Sequence, residues 1–169
     1  MRDRKAIYAG SFDPVTYGHL DIIKRGTDLF DQVIIGMGTN PAKRYLFSLK
    51  ERQEMMTTAV SLHDIFITKV KIEPVSGLLI DFAKEKGARA LIRGLRAVTD
   101  FENEFAMGLT NMDMSPNIET VFLLTKPVYQ FISSSMVKEI AMFDGDVSKY
   151  VPPVVNEALK EKFGSKNKK

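Results

Sequence analysis

Five short runs rich in β-branched and apolar residues recur along this chain, and each is followed by a segment with helical periodicity. This alternation constrains the fold more than any other feature. Antiparallel strands can be joined by a two-residue turn, whereas parallel neighbours need a crossover long enough to hold a helix. A strand–helix rhythm sustained over 169 residues therefore predicts a parallel sheet wrapped by helices, and the length suits one compact domain.

The first strand is expected at about Lys5–Ala9, followed by a helix over residues 19–30 with Leu20, Ile23, Thr27 and Phe30 inward and Asp21, Lys24 and Asp28 away. Gln32–Gly38 reads as a buried second strand. Ser48-Leu49-Lys50-Glu51 has the spacing of a capping box and opens a helix to about Ser61. Asp64–Val70 reads as the third strand, residues 77–86 as a helix closed by Gly87, and Arg89–Arg93 as the fourth strand. Thr99-Asp100-Phe101-Glu102 has a second capping-box pattern, with the helix beginning there or a residue or two earlier, and its apolar face is Val98, Phe101, Phe105, Leu109 and Met112. Ile118–Leu124 is the fifth strand, Ser133–Phe143 a short helix, and Pro152-Pro153 starts a last helix to about Lys162. The expected class is α/β: a Rossmann-like doubly wound five-stranded parallel sheet with helices on both faces. The domain is expected over 1–162, with a basic, disordered tail over 163–169.

Charge sharpens this reading. The chain carries a formal +3, but residues 160–169 (KEKFGSKNKK) alone carry +4, leaving residues 1–159 at −1. A frayed lysine-rich end is a solvated feature, and no basic stripe with interleaved aromatics occurs elsewhere, so no nucleic-acid partner is expected. No apolar run is long enough to span a bilayer, and the amino-terminal stretch has a strand and turn where a signal peptide would have its apolar core. Zero cysteines exclude disulfides and thiolate metal sites. A cytoplasmic protein without membrane partners is expected.

In open parallel sheets, ligands sit beyond the carboxyl ends of the strands. The loops there read GSFDPVTYGH, TNPAKR, VSGLL, RGLR and TKPVYQFISSS, and they hold nearly every polar residue that has no evident structural use. Lys43, Arg93 and Arg96 are cations, Ser11, Ser133, Ser134 and Ser135 are small donors, and two helix N-termini offer free N–H groups. Together they describe a phosphate site. A GxxxxGK[ST] loop is absent, and Gly36-Met37-Gly38 meets Pro41 where a dinucleotide fingerprint needs its third glycine. Two distant histidines and scattered carboxylates make no metal site.

Several residues have two readings at this point. His19 either packs at a helix start or aims a neutral imidazole at the same crevice, the helix dipole disfavouring its charged form. Ser133 serves as an N-cap in either case, whereas three consecutive serines exceed what a cap needs. Lys43 and Arg44 could be solvated loop cations. Arg93, ending a buried strand, calls for an anionic partner. His63 reads as structural or exposed, Asp13 before Pro14 as a turn residue, and Leu78, Leu79 and Phe82 as core. Glu104, Gly108 and Asn111 share the helix face beside the apolar stripe.

Three motifs, in order at the right strand ends, carry a resemblance. Thr16-Tyr17-Gly18-His19 resembles the TxGH form of the signature of nucleotidylyltransferases, and Ile132–Lys138 (ISSSMVK) resembles their second signature. LIRGLRAVTDFENE, residues 91–104, is similar to the bacterial phosphopantetheine adenylyltransferase family, and the likeness runs from Ala6 to about Leu159. The resemblance implies adenylyl transfer from ATP to 4′-phosphopantetheine, giving dephospho-coenzyme A and pyrophosphate, the penultimate step of coenzyme A biosynthesis. It further implies Mg²⁺ carried with ATP, a homohexamer, and coenzyme A as feedback inhibitor. Position by position, it makes His19 the transition-state stabiliser and Ser11, Lys43 and Arg93 its partners at the reacting phosphates. Contacts to 4′-phosphopantetheine fall on Ser11, Lys43, Leu79 and Arg93. Contacts to ATP fall on Ser11, Phe12, His19, Gly94, Leu95, Arg96, Glu104, Tyr129, Gln130, Phe131, Ile132, Ser133, Ser134 and Ser135. Attack by the substrate phosphate would be direct and in line, without a covalent enzyme intermediate. Ala9 and Gly77 depart from family positions that hold proline and aspartate in many and some members. The rivals are a nicotinate mononucleotide adenylyltransferase or cytidylyltransferase, commonly with histidine at position 16, and a regulatory nucleotide-binding module.

Overall fold

A computed structural model describes residues 3–63 and 65–164. Its sheet is five-stranded and parallel throughout, in the order β3-β2-β1-β4-β5. The strands are β1 (Lys5–Gly10), β2 (Gln32–Gly38), β3 (Val70–Val75), β4 (Ala90–Leu95) and β5 (Glu119–Leu124). The helices are α1 (Tyr17–Leu29), α2 (Leu49–Leu62), α3 (Leu79–Glu85), α4 (Val98–Met114), α5 (Ser134–Met142) and α6 (Pro153–Gly164).

Successive side chains of a strand face opposite ways, and the core divides accordingly. Ala6 and Tyr8 of β1, Val33, Ile35 and Met37 of β2, and Ile92 of β4 pack with residues of α1, α2, α5 and α6 in one cluster. Ile7, Ile34 and Leu91 point to the other face, where Ile80 and Ala83 of α3 cover them. Burying a large aliphatic side chain stabilises by about 1.5–3 kcal/mol, so the two layers fix both the strand order and its register. The order reverses direction between β1 and β4, which leaves a crevice at their carboxyl ends.

The capping box expected at Ser48 forms, with Glu51 N–H donating to Ser48 Oγ at 3.2 Å and Ser48 N–H to Glu51 Oε2 at 2.6 Å. Gly87 has φ +63°, the left-handed value expected of a helix-closing residue.

Three expectations are corrected. The third strand is Val70–Val75, not Asp64–Val70: Phe66 and Ile67 are exposed, and residues 67–69 form a 3₁₀ turn. Asp64 lies outside the described residues. The sequence Thr99–Glu102 makes no capping box, because Ala97 is the N-cap without a side-chain bond and Asp100 holds Arg96 instead. Asp21 does not face solvent: it is buried, 2.8 Å from Lys126 Nζ and 3.4 Å from Arg25 Nη1. On α4, the apolar stripe Val98, Phe101, Phe105, Leu109 and Met112 is exposed. The side nearest the sheet includes Glu104, which pairs with a β4 arginine, and Gly108, where a Cβ would lie 3.6 Å from Thr120.

Helix α6 continues to Gly164 with Phe163 buried; residues 165–169 of the expected tail lie outside the described residues. Among the described residues no helix is long and apolar enough to cross a membrane.

Candidate active site

The turn after β1 is built around buried aromatic rings. Phe12 has φ +46°, a left-handed value that is strained for a residue with a side chain, and its ring is buried between Tyr8 and His19. Gly10 lets that ring approach: a Cβ there would lie 3.0 Å from Phe12 Cζ. Asp13 is more than a turn residue. It is 2% exposed, accepts the backbone N–H groups of Leu46 and Phe47 at 2.9 and 3.0 Å, and pairs with Lys138 Nζ at 2.9 Å. Ser134 Oγ donates to Pro14 O at 2.8 Å. The two signature segments thus grip each other, 125 residues apart at Asp13 and Lys138.

The start of α1 explains why a histidine stands there. Thr16 is the N-cap and His19 the third helical residue, and they form a reciprocal capping box. The Thr16 backbone N–H donates to His19 Nδ1 at 3.0 Å, and the His19 N–H donates to Thr16 Oγ1 at 3.4 Å. A backbone N–H can only donate, so Nδ1 is the acceptor and the ring proton resides on Nε2. Burial, and then the Arg96 charge, push the His19 pKa down to about 4. The ring is neutral at neutral pH, with one N–H to offer. Tyr8 is likewise neutral, its pKa raised by burial against the opposing pull of Arg93 and Arg96.

Two pockets open beside this turn. The first, over the β1/β4 crevice, is lined by Phe12, His19, Arg93, Gly94, Arg96 and Glu104, then Tyr129, Ile132, Ser133 and Ser134 from the loop into α5. The second is lined by Ser11, Lys43, Leu79 and Arg93, together with Tyr45 and Met107. Ala9, Gly10 and Arg93 belong to both. Of the expected residues, Leu95, Gln130, Phe131 and Ser135 line neither pocket, and Ser11 lines only the second. Tyr8, Thr125, Tyr45 and Met107 line them without having been expected. No motif marks these four; only the strand alternation could have placed Tyr8.

Alternation along β4 turns Arg93 to the sheet face opposite Ile92, towards α4. There Nε and Nη2 meet both Glu104 carboxylate oxygens at 2.5 Å, while Nη1 donates to Ala9 O at 3.3 Å. This fork-to-carboxylate grip fixes the guanidinium where the pockets join. Arg96 is held by Asp100 at 3.1 and 3.2 Å and donates to Ile132 O at 3.3 Å. Lys43 Nζ has no ion-pair partner among the described residues. Ser133 Oγ caps α5 by accepting Met136 N–H at 3.1 Å, as its N-cap reading requires. No group of three or more histidine, aspartate or glutamate side chains among the described residues could hold a metal ion.

A parallel sheet with its crevice at a topological switch point, three arginine or lysine side chains around it, and helix N-termini facing it define a Rossmann-like nucleotide-binding protein. Comparison with known proteins agrees. A family model described as cytidylyltransferase-like matches residues 7–140. The phosphopantetheine adenylyltransferase of Heliobacterium modesticaldum is 52% identical over 159 residues, 94% of this chain and 92% of the relative. That of Caldanaerobacter subterraneus is 52% identical over 160 residues, 95% and 98% of the two chains. Among solved structures, Plasmodium falciparum nicotinic acid mononucleotide adenylyltransferase complexed with NaAD superposes with a TM-score of 0.71 at 16% identity, covering 96% of this chain and 97% of that one. At that identity it speaks for the fold alone. The chain belongs to the cytidylyltransferase-like nucleotidyltransferases, and within them to the phosphopantetheine adenylyltransferase family.

Proposed function

We propose that this protein transfers the adenylyl group of ATP to 4′-phosphopantetheine, giving dephospho-coenzyme A and pyrophosphate. One observation carries the reading: two pockets meet at Gly10 and Arg93, the first beside a neutral His19 and the second beside Lys43, with which no carboxylate pairs among the described residues. Two polyanions brought together need cations at their junction and a donor for the charge that builds on the transferred phosphorus. The identity of the relatives supports the choice of acceptor.

In this reading Lys43 and Arg93 hold the acceptor phosphate, and Ser11 and Leu79 line its pocket. Phe12, Gly94 and Glu104, with Tyr129, Ile132, Ser133 and Ser134, frame the ATP site. The acceptor's own phosphate oxygen attacks the α-phosphorus in line, so no enzyme nucleophile is required. His19 Nε2–H hydrogen-bonds the α-phosphate as negative charge develops, while Arg96 and the α5 N-terminus receive the departing pyrophosphate. With no side-chain cage among the described residues, Mg²⁺ would ride on the nucleotide's phosphates, and no step here depends on it. The reading also carries a cytoplasmic, single-domain enzyme, inhibited by coenzyme A and without a nucleic-acid partner. The homohexamer belongs to the same reading, and the exposed apolar stripe of α4 supports self-association, because such a face calls for a second protein surface.

Pyrophosphate release from ATP and Mg²⁺ tests the substrate, with 4′-phosphopantetheine and nicotinate mononucleotide offered separately. Release with the first alone is expected. Release with neither, despite ATP binding, would leave a regulatory module. His19→Asn, which keeps an acceptor for the Thr16 N–H, should lower kcat on the order of 10²–10³ with little change in nucleotide affinity.

A further inference from the structure

One buried cation has no place in the scheme above. Arg52, in the first turn of α2, is 2% exposed. Its Nη1 donates to Ser11 O at 2.6 Å and to Gly38 O at 3.0 Å, bridging the carboxyl ends of β1 and β2. Its guanidinium carbon lies 4.1 Å from the centroid of the Tyr45 ring. No carboxylate pairs with it among the described residues, and its Nε has no hydrogen-bond partner there. The Tyr45 hydroxyl is the other buried side-chain atom left unsatisfied among the described residues. Tyr45, Ser11 and Gly38 line the second pocket with Lys43, and Arg52 lies directly behind them, in contact with all three.

A guanidinium keeps its charge in a protein, and a buried charge without a counter-ion is costly. Ordinary stability would be better served at this position by an apolar side chain or by an acidic partner. The arrangement makes sense if the missing counter-charge arrives with a ligand. We infer that Arg52 is a positioning residue of the acceptor site: it braces the Ser11 and Gly38 carbonyls and lends its charge from behind to the phosphate that Lys43 and Arg93 receive from the front. The inference rests on the acceptor reading given above. At an effective dielectric near 20, one unit charge some 6–10 Å away changes the affinity for a phosphate by roughly ten- to a hundred-fold.

The test compares two ligands that differ only in the phosphate. Calorimetric Kd values are measured for 4′-phosphopantetheine and for pantetheine, on the wild type, Arg52→Met and Arg52→Lys. The wild type should prefer the phosphorylated ligand. Arg52→Met should lose roughly tenfold or more of that preference, with its affinity for pantetheine within about twofold of wild type. Arg52→Lys, which keeps the charge but not the fork, should retain the preference within about threefold. An equal loss for both ligands in Arg52→Met would make Arg52 a structural brace only, and an undiminished preference would likewise overturn the inference. Should Arg52→Met fail to fold, Arg52→Gln, still able to donate to a carbonyl, carries the same comparison. A wild type without preference for the phosphate overturns the acceptor reading itself, and the inference with it.

Discussion

The proton on His19 offers a sharp experiment, because the chain has only two histidines and one of them is tied into a helix cap. Protonating Nδ1 would set an N–H against the Thr16 N–H that now donates to it at 3.0 Å, so the cap and the charged ring exclude each other. The folded protein holds His19 at about 4, below the ordinary 6.5 that the unfolded chain recovers. Between those values the unfolded state binds the extra proton, so stability rises with pH across this window and is lost as pH falls from 6.5 towards 4. The full gap corresponds to about 3 kcal/mol, of which about 2 kcal/mol is lost between pH 7 and pH 5. Both figures are upper bounds, since part of the ring faces the open pocket. For a domain of this size, 2 kcal/mol is about 4–8 °C in Tm. His19→Asn keeps an oxygen acceptor for the Thr16 N–H and cannot titrate. Scanning calorimetry at pH 7 and pH 5 should therefore show a fall in the wild type that exceeds the fall in His19→Asn by up to that amount. Nitrogen-detected NMR should show Nδ1 bare and Nε2 protonated at neutral pH, with His19 assigned by comparison with His63→Gln. Equal falls in both proteins, or a His19 titration near 6.5, would refute the cap argument.

Two further outcomes can be checked. Lys138→Met leaves the buried Asp13 carboxylate with only the Leu46 and Phe47 N–H groups; chemical denaturation should show a loss of about 3 kcal/mol, and nucleotide KM should rise because the two signature segments part. Leu109→Glu places a charge in the exposed α4 stripe; light scattering on a sizing column should show a smaller particle than wild type, with circular dichroism unchanged.

The sheet was legible because buried strands announce themselves: QVIIGMG of β2 is apolar along its whole length, and its bounds agree with the sequence expectation. β3 was not. As an edge strand it is half-exposed, alternates with Lys71 and Glu73 and carries Pro74, whereas the more apolar Phe66 and Ile67 lie outside it in exposed positions. Periodicity showed that α4 has an apolar stripe, but the sheet took the neighbouring face, where Glu104 pairs with Arg93. At the site, the loops after the strands and their cations could be read from residue order. The braces could not: Asp13 with Lys138, and Arg52 with Ser11 and Gly38, are side chains whose meaning lies in partners far along the chain.

The clasp between Asp13 and Lys138 bears on how the protein is made. Of the five strands the central β1 is synthesised first, yet one of its sheet neighbours, β4, begins only at Ala90, and Lys138, which locks the turn after β1, lies 125 positions beyond Asp13. Contacts of such long range form late. A chain emerging from the ribosome therefore carries its glycine turn and histidine long before Lys138 is there to hold them, and the turn takes its final form only after synthesis has passed that residue.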